Sequence, residues 1–244
     1  MRILALETSA KSVSAAVAED GAILAYSFQN TGLTHSRTLL PMVDRMLENA
    51  ELPLPSVDAF AVAAGPGSFT GLRIGVSALK GLAWAADKPC AGVSTLLAMA
   101  HNYRRIAPDD TLLVCAMDAR RSQVYNALFT LRGGELVRLC DDRAVGLDEL
   151  AGDLRNDPRQ KIVLGDGAGL AHGYLTQNGV ACALAPETLR WQNAAGVALA
   201  AQQAFARGEA VTAQELAISY LRVSQAERER NARLEREQLQ NNLK

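Results

Sequence analysis

Two segments of this chain carry the same short pattern, and it constrains the fold more than any other feature. Ile3-Leu-Ala-Leu-Glu7 and Val114-Cys-Ala-Met-Asp118 are each an apolar run ending in an acid. A short apolar run bounded by turn residues reads as a buried strand. Each acid precedes a polar turn, Thr8–Ser12 in one copy and Ala119–Ser122 in the other. A returning strand follows, Val13–Ala18 or Val124–Leu131, and then a glycine turn at Gly21 or Gly133-Gly134. With 244 residues there is chain enough for two such units with real cores.

The segments around the repeat complete each unit. Arg2–Leu6, Val13–Ala18 and Ala22–Phe28 form a meander, with Glu19-Asp20-Gly21 as its second turn. A helix at about Ser36–Asn49, a strand at Ala59–Ala64, a glycine-rich loop, a second helix at about Gly71–Ala86 and a strand near Cys90–Val93 follow. The second half is less regular: helix Leu147–Leu154, strand Lys161–Leu164, and helices Ala168–Gln177 and Asn193–Arg207. A meander followed by alternating strands and helices predicts a mixed sheet covered by helices. Two such units predict an α/β fold of two tandem ribonuclease-H-like domains, the architecture of the actin, sugar kinase and Hsp70 superfamily. Two unrelated α/β domains are the alternative. The boundary is expected near Ile106-Ala107-Pro108, giving domains 1–106 and 107–224. A tail, 225–244, alternates acids and bases in the manner of a solvated helix or frayed end.

The first two helices have more apolar surface than one sheet can cover. On the second, Arg73, Lys80 and Asp87 share one narrow ridge and nearly every other position is apolar or small. Such a helix must be covered on more than one side. On the first, Leu39, Met42 and Met46 form one stripe, with Leu40, Val43 and Leu47 beside it. Together they span roughly 160°, more than the ~100° that packing on one sheet requires. Gly75, Ala78, Gly81 and Ala85 would let another helix approach the second closely. Two neighbouring helices of this kind can form half of a four-helix bundle shared between chains. The chain's own second domain or tail is the alternative cover.

The chemistry-bearing residues are sparse. The loop Gly65-Pro-Gly-Ser-Phe-Thr-Gly71 between a strand and a helix start would offer backbone N–H groups to an anion, making Gly65, Gly67, Ser68 and Gly71 candidates for a nucleotide or phosphate loop. The P-loop pattern is not matched, and G-x-G-x-x-x-G is one residue too long for the dinucleotide fingerprint. The other reading is a tight turn bringing the second helix close to the sheet. Glu7 and Asp118 end the two repeated strands, where this superfamily directs carboxylates toward phosphate and Mg²⁺. Vestigial contact of that kind is one reading, and a solvated turn acid is the preferred one for each. Arg120-Arg121 could meet a phosphate or pair with Asp118. His35, His101 and His172 are scattered without metal-ligand spacing, and His35 is expected to cap or pack at the start of the first helix. The four cysteines lack C-x-x-C spacing and read as buried free thiols. A formal net charge of −1 gives no basic field to hold nucleic acid unaided. The start MRILALETS enters a strand directly and no apolar run reaches membrane-spanning length, so a cytoplasmic protein with no membrane contact is expected.

ALETS near the start, Thr34-His-Ser36, Leu39-Leu-Pro41, the block Ala63–Ala83 (AAGPGSFTGLRIGVSALKGLA), Asp118-Ala-Arg-Arg121 with Tyr125, and Tyr220-Leu-Arg222 resemble the TsaB (YeaZ) family. The likeness runs to about Arg222, and GPGSFTGLRIG is its most specific part. The resemblance implies an accessory subunit of the bacterial machinery that makes N6-threonylcarbamoyladenosine (t6A37) in tRNAs reading codons that begin with A. It implies that the chain binds and activates TsaD, the catalytic paralogue, which holds a metal on an H-x-x-x-H motif. The corresponding segment here, Gly92–Leu97, has no histidine. TsaE, an ATPase, joins the assembly, tRNA is met through the complex, and relatives pair with themselves when alone. The contact in such relatives is made by the first two helices, which here carry Leu39, Leu40, Met42, Val43, Met46, Leu47, Leu72, Arg73, Val76, Leu79, Lys80 and Ala83. No cofactor or metal of its own is implied, and a nucleotide at the subunit junction is left open. An ATP/Mg-dependent phosphotransferase or ATPase using Glu7 and Asp118 is the second reading, and a metallopeptidase the third.

Overall fold

The computed structural model describes residues 1–222, so the charged tail expected over 225–244 lies outside the described residues. The first sheet is built from β1 (Arg2–Glu7), β2 (Val13–Glu19), β3 (Ala22–Gln29), β4 (Ala59–Gly65) and β5 (Cys90–Ser94), with α1 (His35–Asn49) and α2 (Phe69–Ala86) between strands. α3 (Thr95–His101) follows β5 without a break. The strand order is β3-β2-β1-β4-β5; β1, β2 and β3 are antiparallel neighbours, and β4 and β5 run parallel to β1.

The second sheet contains β6 (Leu112–Asp118), β7 (Gln123–Arg132), β8 (Glu135–Arg138), β9 (Arg143–Gly146), β10 (Lys161–Leu164) and β11 (Ala183–Leu184). α4 (Leu147–Arg155), α5 (Ala168–Gln177), α6 (Glu187–Arg190) and α7 (Ala194–Ala206) complete the α-helices of the described residues. Its order, β8-β7-β6-β10-β11, repeats that of the first sheet with the same strand directions, and β9 lies alongside β7. The repeated pattern therefore does mark two ribonuclease-H-like units, each a mixed sheet flanked by helices.

The two faces of the first sheet are made of different residues. Leu4, Leu6, Val13, Val17, Phe60 and Val62 point toward α1 and α2. Ile3, Ala5, Ala16, Ala59, Ala61, Ala63 and Ala91 point the other way, where they meet Ala194, Val197, Ala198, Ala201 and Ala204 of α7. Small side chains on both partners let helix and sheet approach closely. At Gly196 a Cβ would lie 2.1 Å from the Ala98 carbonyl oxygen.

This packing changes which unit residues 193–222 join. α7 belongs to the first sheet rather than to the second unit, and Val211, Ala213, Leu216 and Ile218 return to the core under α1 and α2. The second unit is built from Leu112–Arg190, with α3 covering one face of its sheet, and residues 193–222 finish the first. α3 also escaped the sequence reading: TLLAMAH is apolar nearly all round and seven residues long, too short to show a phase. It is buried between the units, with Leu96 and Met99 packed against Leu113, Cys115 and Phe129.

Candidate functional site

The two repeated acids end the corresponding central strands of the two units, in different states. Glu7 is fully buried. One carboxylate oxygen accepts the Ser9 amide at 2.5 Å and the other has no partner. Burial pushes its pKa up from 4.5 to about 7, because a carboxylate loses its hydration there. The expectation of a solvated turn acid fails for Glu7. Asp118 is exposed, accepts the Arg120 amide at 2.7 Å and stands 4.0 Å from the Arg120 guanidinium. A third acid, Asp166, was missed; it follows β10 between Gly165 and Gly167, accepts Gln192 Nε2 at 2.7 Å, and is raised chiefly by burial. Its sequence signal was an acid between two glycines at a strand end.

Between the units lies a cleft of about 410 Å³, reached by Ser9, Lys11, Ser68, Asp118, Tyr125 and Asp166 among others. Arg222 closes one side by donating to the Ala119 carbonyl at 2.8 Å and to Gln123 Oε1. His35 Nε2 donates to the Ala10 carbonyl at 2.7 Å, fitting the packing role expected of it. The glycine loop is spent on packing. A Cβ at Gly71 would sit 2.1 Å from the Thr8 carbonyl oxygen, and one at Gly67 2.6 Å from that of Ser9. The Ser68 amide donates to Ser9 O at 2.7 Å, and the Gly71 amide to Ser68 Oγ at 3.3 Å. The Thr8-Ser9 turn fills the space beside Gly67 and Gly71, and the Ser219 carbonyl that beside Gly65, while Gly67 and Ser68 also line the cleft. Gly65, Gly67, Ser68 and Gly71 form the tight turn that brings α2 onto the sheet.

The outer surface of α1 and α2 leaves two large apolar side chains exposed, Leu40 and Trp84. Eight of the twelve residues expected at a partner contact face the chain's own core: Leu39, Val43, Met46, Leu47, Leu72, Val76, Leu79 and Ala83. They are sealed because the sheet takes the stripe with the largest side chains. Leu40 and Arg73 are exposed, and Met42 and Lys80 half-buried. One flank of α2 is roofed by the returning segment: the Tyr220 ring stacks on Phe69 at 5.2 Å, its hydroxyl accepts from Arg73 Nε at 3.1 Å, and Lys80 Nζ donates to the Gln214 carbonyl at 3.2 Å. The rest of α2 is open. Trp84 is 81% exposed beside Ser77, Gly81 and Ala85, with Ile74 half-buried, and Leu40 on α1 is 51% exposed. At ~100° per residue Trp84 lies roughly 110° round the helix from the centre of the buried Leu72–Val76–Leu79–Ala83 stripe, on the flank beside Lys80.

Other sequence candidates stay apart. Among the described residues no three His, Cys, Asp or Glu side chains cluster as metal ligands. His101 is buried with neither ring nitrogen bonded, and burial pushes its pKa down to about 4. Cys90 and Cys115 are buried, Cys140 and Cys182 half-buried, and all four are free. No described helix is long and apolar enough to cross a membrane.

Comparison with known proteins places this geometry. The family model described as TsaD, tRNA N6-adenosine threonylcarbamoyltransferase, matches residues 17–229. The Bacillus subtilis tRNA threonylcarbamoyladenosine biosynthesis protein TsaB is 34% identical over 165 residues, 68% of this chain and 71% of the relative. The chain belongs to the TsaB (YeaZ) family. The Escherichia coli TsaB is 41% identical over 125 residues, covering 51% of this chain and 53% of the relative. The solved structure of YeaZ from Pseudomonas aeruginosa superposes with a TM-score of 0.76 at 30% identity, covering 90% of this chain and 99% of that one. The block that carries the TsaB likeness, Ala63–Ala83, is the segment in which β4, the tight turn and α2 are built. Its glycines hold α2 against Thr8 and leave Trp84, just beyond it, on the outside.

Proposed function

We propose that this chain is a non-catalytic subunit of the tRNA threonylcarbamoyladenosine machinery, which binds and activates a TsaD-type transferase for transfer to N6 of adenosine 37. The observation that carries this reading is the uncovered face of α2 around Trp84, with Leu40 exposed on the neighbouring helix α1. An exposed tryptophan flanked by small residues is the composition of an interface anchor, since a large rigid ring can enter a pocket while its neighbours allow close approach. The same face would serve self-pairing when the transferase is absent. TsaE and tRNA belong to the assembled complex, and the setting is the cytoplasm.

The phosphotransferase reading is not favoured. Glu7, which would have to hold Mg²⁺, is sealed from the cleft and resists ionisation at neutral pH. A nucleotide at the subunit junction would meet the loop where Gly67 and Ser68 line the cleft.

Trp84→Glu tests the proposal. As a surface change it should leave stability within about 0.5 kcal/mol, yet abolish co-purification with the transferase. In cells depleted of the wild-type chain, this variant should fail to restore threonylcarbamoyladenosine in bulk tRNA, read by mass spectrometry. Normal complex formation by Trp84→Glu combined with Leu40→Glu would overturn the assignment.

A further inference from the structure

A second open surface lies at the other flank of α1. β3 is the edge of the first sheet: it pairs with β2 on one side, and among the described residues no strand pairs with its outer side. Edge strands in soluble proteins are commonly blunted by charge or proline. β3 has neither, reading Ala22-Ile-Leu-Ala-Tyr-Ser-Phe-Gln29. The only register shift with β2 falls near its start, between Val17 and Ala18, so Ala25–Gln29 is regular. Tyr26 and Phe28 remain 45% and 38% exposed.

Between this edge and α1 runs a groove of about 720 Å³ whose charged side chains are Arg37 and Arg45, with no carboxylate in its lining. Arg45 bonds Glu48 at 2.6 Å, and Arg37 has no acidic partner among the described residues. Pro41 and Met42 add an apolar floor.

The two faces of the edge differ. Ala25, Ser27 and Gln29 are registered with Val17, Ala15 and Val13 and so share the α1 side; Tyr26 and Phe28 are registered with Ala16 and Ser14 and share the α7 side. A strand added here would present alternate residues to the two faces. Those on the α1 side would meet arginine, and those on the other would meet Tyr26 and Phe28.

We infer that the β3 edge docks an extended acidic segment of a partner protein, with carboxylates alternating with apolar residues, as an added strand. A second copy of this chain is disfavoured. In a two-fold antiparallel pairing each copy would place uncharged Ala25, Ser27 and Gln29 beside the other's arginines and bring both sets of Arg37 and Arg45 to the same side. This surface is separate from that around Trp84, since no residue of α2 lines the groove.

The probe is a fluorescein-labelled octapeptide of alternating Asp and Val, titrated into the full chain by anisotropy. Saturable binding is expected, weakened roughly tenfold or more by Arg37→Glu with Arg45→Glu, and lost on N-methylation of alternate peptide amides. Trp84→Glu should leave it unchanged. A Lys-Val peptide should not bind. The inference is overturned by equal binding of the Lys-Val peptide, by indifference to the double arginine variant or to N-methylation, by loss of binding in Trp84→Glu, or by no binding of the Asp-Val peptide. It is equally overturned if sedimentation shows a dimer that Tyr26→Lys dissolves, because a second copy would then hold the edge.

Discussion

The first sheet is covered by helices on both faces, yet the two coverings are unlike. On the α7 side alanine meets alanine, and the helix is sealed so closely that Gly196 has no room for a methyl group. On the α1 and α2 side large aliphatic residues seal the inner stripes, while the outer surface of α2 keeps Trp84 in solvent and leaves Gly81 with nothing within 4 Å. Both α2 and α7 are apolar nearly all round. Their apolar content therefore does not say which is finished within the chain and which awaits a partner; only the packing of each stripe does.

The largest effect expected from breaking this contrast is at Leu79, on the sealed stripe of α2. Leu79→Glu would bury an unpaired carboxylate and remove core packing, so a loss of about 4 kcal/mol or more is expected. Urea denaturation followed by circular dichroism would read it, and a stable folded variant would show that the stripe is not core. Val76→Glu should behave similarly, so neither variant can report on partner binding alone. Next is Gly196→Ala, which should cost about 3 kcal/mol by overpacking against the Ala98 carbonyl, measured by the same unfolding curves.

Glu7 sharpens the comparison at the edge of the sealed region. Its pKa is raised from 4.5 to about 7 in the folded protein, so between those values the native state binds more protons than the unfolded one. Stability from this group is present in full below pH 4.5 and is lost as pH rises through about 7, by on the order of 3 kcal/mol. Glu7→Gln should flatten that part of the stability–pH curve, and an unaltered slope would place the titration elsewhere. The smallest effect has the opposite sign. Gly81→Ala on the open face should stabilise the isolated chain by about 0.5–1 kcal/mol, since alanine is the better helix former and nothing is in its way. The same methyl group should weaken transferase binding if that face is a close helix–helix contact.

Much of the fold was legible because its signals are local and repeated. The strand–acid–turn–strand pattern located β1, β2, β6 and β7, and glycine turns set their ends. What escaped was short or non-local. β8, β9 and β11 have two to four residues each, too few for an alternation to register. α7 was found as a helix but assigned to the wrong unit, because its periodicity says nothing about which sheet it meets. The site was half legible. Glu7 and Asp118 were picked out as a pair, but their opposite exposure was not, since burial of one strand end depends on how the two units lean together. Trp84 was counted among the apolar residues of α2, although its helical phase sets it beside the polar ridge of Arg73 and Lys80.

The sequence by itself determined two duplicated mixed sheets, the tight glycine turn before α2, and an excess of apolar surface on α1 and α2, because each follows from local pattern and side-chain volume. Tertiary structure alone decided that residues 193–222 close the first unit, that Glu7 is sealed while Asp118 is wet, and that Trp84, not Leu79, faces outward. Those outcomes depend on contacts between segments far apart in the chain. Local periodicity fixes which stripes are apolar, and long-range packing selects which of them is buried.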